Sequence, residues 1–259
     1  MNLNLLGKNA FVGGSSKGIG WASAVELALI GANVTIVSRS EEILQQKVAL
    51  LANNGKQKHD FLVLDYQSLE EVESKISSLK KEYHILINNT GGPTGGNIIE
   101  ESPEKFEIVF RQHVLINQIL AQAFVPFMQS EGFGRVVNII SVSVKQPIIG
   151  LGVSNTIRWA VASWAKTLSK EITGNGITVN NVLPGYTLTD RLIEVNKMRA
   201  ESLKISVNDL EKQLLVNVPS GKFATAEEVA AAVAFLCSPS AGAINGVNIP
   251  VDGGLSATL

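Results

Sequence analysis

The sequence predicts an α/β protein built as one doubly wound sheet of about seven parallel strands, with helices on both faces. Three observations carry that expectation. Short apolar stretches alternate with helix-length segments along the whole 259 residues. Most of those stretches lack the in–out alternation of a half-exposed strand, as expected where helices cover both faces of a parallel sheet. The first of them runs through a glycine-rich turn directly into a helix. Repeated strand–helix–strand units of this kind imply right-handed crossovers.

The strands are read at NAFVGG, NVTIVS, FLVLD, HILINN, GRVVNII, ITVNNVLP and GVNIPV. Helical patterns such as WASAVELALIGA, EEILQQKVALLANNG and LEEVESKISSLKKE lie between them, and Gly152 to Glu171 reads as one long helix. No linker, repeat or low-complexity tract intervenes, so residues 1–259 read as a single domain. The one departure is a mostly helical insertion at about 187–220, before the last helix and strand. In a doubly wound fold it lies above the carboxyl ends of the strands, where ligands bind, and it reads as a substrate lid.

Composition narrows the function. Hydrophobic residues make up 45% of the chain and charged residues 17%, enough apolar material for a buried core. A formal net charge of −1 without a basic face argues against a nucleic-acid or membrane-surface partner. The single cysteine, Cys237 in AAAVAFLC, allows no disulfide framework and reads as a small buried hydrophobe. No signal-peptide pattern is visible at the start, and no run approaches the roughly 18 apolar residues of a membrane span, so a cytoplasmic protein is expected. His59 and His84 stand at strand starts, and no histidine–carboxylate spacing points to a metal.

The turn GGSSKGIG, Gly13 to Gly20, has the composition of a phosphate cradle. Gly14, Ser16, Lys17, Gly18 and Ile19 would let the backbone approach a pyrophosphate at the amino end of the first helix. An acidic residue after the second strand would hold the ribose hydroxyls of NAD; here Ser38 and Arg39 stand instead. A carboxylate repels a 2′-phosphate, whereas Lys17 and Arg39 attract it, so NADPH is expected over NADH.

Five stretches together resemble the short-chain dehydrogenase/reductase family: GGSSKGIG, Asp65 in LVLDY, INNTGG, GRVVNIIS, and the pair LPGYTLT and NGVNIPVDGG. They occur in the family's order and cover essentially the whole chain. The nearest subgroup looks like the bacterial 3-oxoacyl-carrier-protein reductases. The resemblance implies a Rossmann-like sheet, a nicotinamide dinucleotide and a homo-oligomer, tetramer or dimer. It places Asp65 at the adenine, Asn89 and Gly91 on the adenine-ribose side, and Pro184, Gly185 and Thr189 at the nicotinamide end.

The same alignment shows a substituted site. The family's asparagine, serine, tyrosine and lysine fall on His113, Ser141, Ser154 and Arg158, so only the serine is retained. Ser141 and Ser154 can still donate hydrogen bonds to a carbonyl oxygen, but a serine alcohol is a far weaker acid than a phenol. Arg158 supplies the lysine's charge and could hold the nicotinamide ribose, yet it stays protonated. A guanidinium in so apolar a helix needs polar or anionic partners, and a bound coenzyme would provide them. His113, titrating near neutrality, and the phenol of Tyr186 are the candidate proton donors. Each site residue also has a structural reading: His113 satisfied in helix packing, Tyr186 a pocket wall, Ser154 a helix cap.

The expected function is NADPH-dependent reduction of a ketone, a 3-oxoacyl thioester or related carbonyl, free or linked to a carrier or coenzyme A, to a secondary alcohol. The alternative is a catalytically silent NADP(H)-binding protein acting as a sensor or partner subunit. Neither the lid insertion nor the GGPTGGNIIEESPEK loop reads as carrying a charge cluster diagnostic of one ligand.

Overall fold

The structure is a computed structural model describing residues 1–172, 174 and 176–258. Its strands are β1 (Asn9–Val12), β2 (Asn33–Ser38), β3 (Asp60–Val63), β4 (Ile85–Asn88), β5 (Gly134–Ile139) and β6 (Ile177–Pro184). Two short strands, β7 (Thr187–Leu188) and β8 (Ala224–Thr225), precede β9 (Asn248–Val251). The helices are α1 (Gly18–Leu29), α2 (Glu41–Val48), α3 (Leu69–Ser77), α4 (Pro103–Phe110), α5 (Ile116–Ser130), α6 (Gly152–Glu171), α7 (Asp190–Leu203), α8 (Val207–Val216) and α9 (Ala226–Cys237).

Seven parallel strands form one sheet in the order β3-β2-β1-β4-β5-β6-β9, each near the position its apolar stretch predicts. Period-two alternation sorts their side chains between two layers. Ala10, Val12, Ile85, Ile87, Val137 and Ile139 pack with residues of α1, α2 and α9, among them Leu27, Leu44, Val233 and the fully buried Cys237. Phe11, Leu86 and Val136 face the other way, onto Val72, Leu120, Phe124 and Ala165 of α3, α5 and α6. There Phe11, Tyr83 and Phe124 form a ring cluster with centroids 4.8–5.4 Å apart. Burying each such ring contributes roughly 1.5–3 kcal/mol.

A row of amides crosses half the sheet. Asn88 donates to Asn138 (2.8 Å), Asn138 to Asn181 (2.8 Å) and Asn181 to Asn248 (2.7 Å), each pair directly in register on neighbouring strands.

Two local outcomes differ from the sequence reading. The second helix ends at Val48 rather than running on to Gly55, because Asn53 and Gln57 side chains bond the backbone of a tight Asn-Asn-Gly loop instead. The insertion at about 187–220 becomes α7 and α8, started by the side-chain caps Thr189 and Ser206. Its base is closed by β7 and β8, which pair in parallel through Thr187–Ala224 and Leu188–Thr225, a bracket too short to read from sequence. Ala200, Leu210, Leu214 and Phe223 give this unit a small core of its own. Among the described residues no helix is long and apolar enough to cross a membrane, and no group of side chains could hold a metal ion.

Candidate active site

Strand order reverses between β1 and β4, and a cleft of about 630 Å³ opens above the carboxyl ends of β1 to β6. A doubly wound sheet binds its ligands at such a point. Of the predicted site residues, Gly14, Ser16, Lys17, Gly18, Ile19, Ser38, Arg39, Asp65, Asn89, Gly91, Ser141, Ser154, Arg158, Pro184, Gly185, Tyr186 and Thr189 all line it.

At the glycine turn, Gly14 and Gly18 adopt φ of +55° and +58°, a region that side chains with a Cβ rarely occupy. A Cβ on Gly20 would lie 2.3 Å from the carbonyl oxygen of Gly14. The turn is held from outside. Ser15 donates from Oγ to Val12 O (2.8 Å) and accepts from Val37 N–H (2.7 Å), clamping it between β1 and β2. Asn89 Nδ2 donates to Gly13 O (3.1 Å) and Gly14 O (3.2 Å). Asn89 thus spends its amide on shaping the turn, and Ser15 does work that its neighbours in the motif concealed.

Beyond β2, the Ser38 hydroxyl is buried without a partner among the described residues, next to an exposed Arg39. An orphaned donor beside an exposed guanidinium is the setting a phosphate monoester would complete. Lys17 is engaged: its Nζ pairs with Asp190 Oδ2 at 3.0 Å, both ends exposed, joining the glycine turn to the first turn of α7. Asp65 accepts from the backbone N–H of Gln67 (3.0 Å). Tyr66, also in the cleft wall, has a buried phenol without a partner among the described residues, and burial pushes its pKa up.

At the other end, Ser141 follows β5. Its Oγ accepts from Ser143 N–H at 3.1 Å, which leaves its own O–H free to donate. Ser154 is in the first turn of α6 but is not its cap. The helix starts at Gly152 with Leu151 in the cap position and no capping side chain, which corrects the structural reading of Ser154. Arg158, one turn on, is buried, and Nη1 donates to Ile139 O at 2.8 Å. Burial first, and then repulsion from Arg191, lower its pKa to about 10. Tyr186 lines the cleft with its ring edge-on to Phe223, centroids 5.7 Å apart.

His113 is not brought to the cleft wall. It sits in a single wide turn, Arg111–Leu115, spliced between α4 and α5, where each backbone bond spans one extra residue. The ring is buried and Nε2 bonds Gly91 O at 3.2 Å. Burial, and then the charge of Arg158, hold its pKa well below the usual histidine value, so at neutral pH it is an uncharged ring whose Nε2–H supports the loop after β4.

The insertion contributes what the sequence reading did not foresee. Arg191, Leu192, Val195, Asn196 and Arg199 share one face of α7 and line the cleft, a spacing of helical period. The sequence reading found no charge cluster diagnostic of one ligand in this insertion; the fold places two of its arginines in the cleft wall. Arg191 and Arg199 face the same space as Arg158, and the 191–195–199 step was the signal available to find them.

Residues 14–256 match the family model described as enoyl-(acyl carrier protein) reductase. The 3-oxoacyl-[acyl-carrier-protein] reductase FabG of Haemophilus influenzae is 32% identical over 252 residues, spanning 96% of this chain and 98% of that one. The protein of the same name from Escherichia coli strain K12 is 33% identical over 98% of this chain and 99% of its own. Among solved structures, L-sorbose reductase from Gluconobacter frateurii, complexed with NADPH and L-sorbose, aligns over the full length of both chains with a TM-score of 0.92 and 30% identity. Sheet order, glycine turn and full-length similarity agree: the chain belongs to the short-chain dehydrogenase/reductase family.

Proposed function

We propose that the protein binds NADPH and reduces a ketone to a secondary alcohol, using a proton relay that lacks the family's tyrosine. The observation that carries this reading is one continuous cleft in which the phosphate-binding turn, the Ser38–Arg39 pair and Ser141 all take part. Relatives whose names state NADPH-dependent or 3-oxoacyl reduction support it. A bound nicotinamide supplies the hydride, which adds to the carbonyl carbon as the oxygen takes up a proton.

The protein's part is to hold both molecules and stabilise the oxygen. Ser141 donates its free O–H to the carbonyl oxygen, and Ser154 offers a second hydroxyl from the first turn of α6. A serine alcohol is too weak an acid to be the ultimate proton source, so the proton comes from water oriented by Ser154 or from the phenol of Tyr186. Arg158, in the cleft wall, would hold the nicotinamide ribose and would place a positive charge near the developing alkoxide. His113, uncharged and engaged by Gly91, shapes the cofactor loop. Three substitutions among four tetrad positions favour one second reading, a silent NADP(H)-binding protein. The test is NADPH absorbance with a panel of ketones between pH 5 and 9, for the native protein and Ser141→Ala. Turnover that falls about 100-fold in Ser141→Ala supports the reductase. Tight NADPH binding without turnover of any ketone supports the silent protein.

A further inference from the structure

The reaction end of the cleft is unusually cationic, and its charges are poorly answered by the protein. Arg158 has a single carbonyl partner, Ile139 O. Arg191 bridges Pro93 O on the far wall and Glu194 on its own helix (3.1 Å). Arg199 has no hydrogen-bond or ion-pair partner among the described residues, although it is half-buried in the cleft wall. The lining carboxylates are Asp65, at the other end, and Asp190, which is occupied by Lys17. Next to Arg199 on the same face of α7 stands Asn196, fully buried. Its Nδ2 donates to Glu211 Oε1 at 3.3 Å, which fixes the amide, while its Oδ1 has no partner among the described residues. Asn196 therefore backs the wall from inside, and the unpaired guanidinium of Arg199, part-exposed to the cleft, marks room for a ligand that carries negative charge.

We propose that the substrate is a small ketone bearing a carboxylate, and that Arg199 pairs with that carboxylate. This rests on the reductase reading and names its substrate class. Arg199 lies two helical turns, about 12 Å, from Arg191. The coenzyme's phosphates have their own donors at the glycine turn and Arg39, so Arg199 is left for the substrate. A planar guanidinium matches a carboxylate in two-point geometry, and the charge of Arg191 and Arg158 raises the local potential that draws the anion in.

The experiment pairs each acid with its neutral ester: acetoacetate, levulinate and 5-oxohexanoate against their methyl esters, with acetoacetyl-coenzyme A as the thioester arm. Steady-state rates are read with NADPH, and binding to the protein–NADP+ complex is read by calorimetry. The expected result is at least one acid favoured over its ester tenfold or more in kcat/KM, with a KM that rises with salt. Arg199→Ala should erase that preference and Arg199→Lys should keep part of it, while the Kd for NADPH changes less than twofold in both. An ester or the thioester used as well as every acid overturns the assignment, as does a parallel loss of NADPH affinity in Arg199→Ala. If no ketone turns over, the reductase reading fails separately. An acid that still binds the NADP+ complex, and is lost in Arg199→Ala, then upholds the anion site, and absence of binding removes it.

Discussion

Arg158 of α6 donates a hydrogen bond from Nη1 to the carbonyl oxygen of Ile139 at the end of β5, 2.8 Å away, with its guanidinium buried and no carboxylate partner among the described residues. Such a charge costs stability unless a ligand answers it. Arg158→Met should therefore separate stability from binding. The thermal midpoint of the ligand-free protein is expected to rise by roughly 2–4 °C, the shift that about 1 kcal/mol produces in a chain of this size. Affinity for NADPH should drop tenfold or more by fluorescence titration, and a lowered midpoint with unchanged affinity would show that the residue is only structural.

His113 makes stability depend on pH. Its folded-state pKa is held well below 6.5 by burial and by Arg158, whereas the unfolded chain takes up a proton near 6.5. As pH falls from about 6.5 toward the folded value, the unfolded state binds more protons, so stability drops by up to about 1.4 kcal/mol per pH unit. His84, also lowered by burial, adds a second, weaker contribution in the same direction. Urea midpoints between pH 5 and 7 should slope less steeply in His113→Asn than in the native protein. An identical slope would assign the effect elsewhere.

Arg39, proposed as the partner of a 2′-phosphate, lines the cleft beside the orphaned hydroxyl of Ser38. Hydrogen bonds to a charged group contribute about 1.5–3 kcal/mol. Arg39→Ala should therefore weaken NADPH by roughly 10- to 100-fold and NADH by less than threefold. Equal losses for the two coenzymes would remove Arg39 from the phosphate site.

Lys204, ending α7, is the one non-glycine residue with positive φ among those described, at +56°. A side chain there costs about 1–2 kcal/mol that glycine avoids. Lys204→Gly should raise the thermal midpoint by a few degrees, and if α7 frays locally, protection of its amides from hydrogen exchange should rise with it.

What the sequence disclosed followed from local rules. The seven main strands and the glycine turn were legible because apolar stretches, turn residues and helix starts agree along the chain. The site was legible where a residue stands in a motif, as Arg39 and Ser141 do. It was hidden where a role depends on residues far apart. Asn89 bonds the turn of Gly13 and Gly14 some 75 residues away. His113 looked like a proton donor by position, yet the wide turn that carries it and the charge of Arg158 make it a neutral support. Ser154 looked like a cap because serine suits helix starts, but α6 begins two residues earlier. The arginines of α7 went unseen because their helical step shows that they share a face, and only the docked helix shows that this face meets the cleft.

The row from Asn88 to Asn248 has a bearing on how the molecule assembles. Each bond in it forms only when its two strands stand at one offset, so a slip of a single position would leave buried donors empty and turn the wrong side chains inward. The final strand comes from the last dozen residues of the chain, and it brings Asp252 against Gly185, whose added Cβ would meet that aspartate at 2.7 Å. Strand alignment is thus fixed through four side chains, and the corner of the cleft at Gly185 is complete only with this last strand in place.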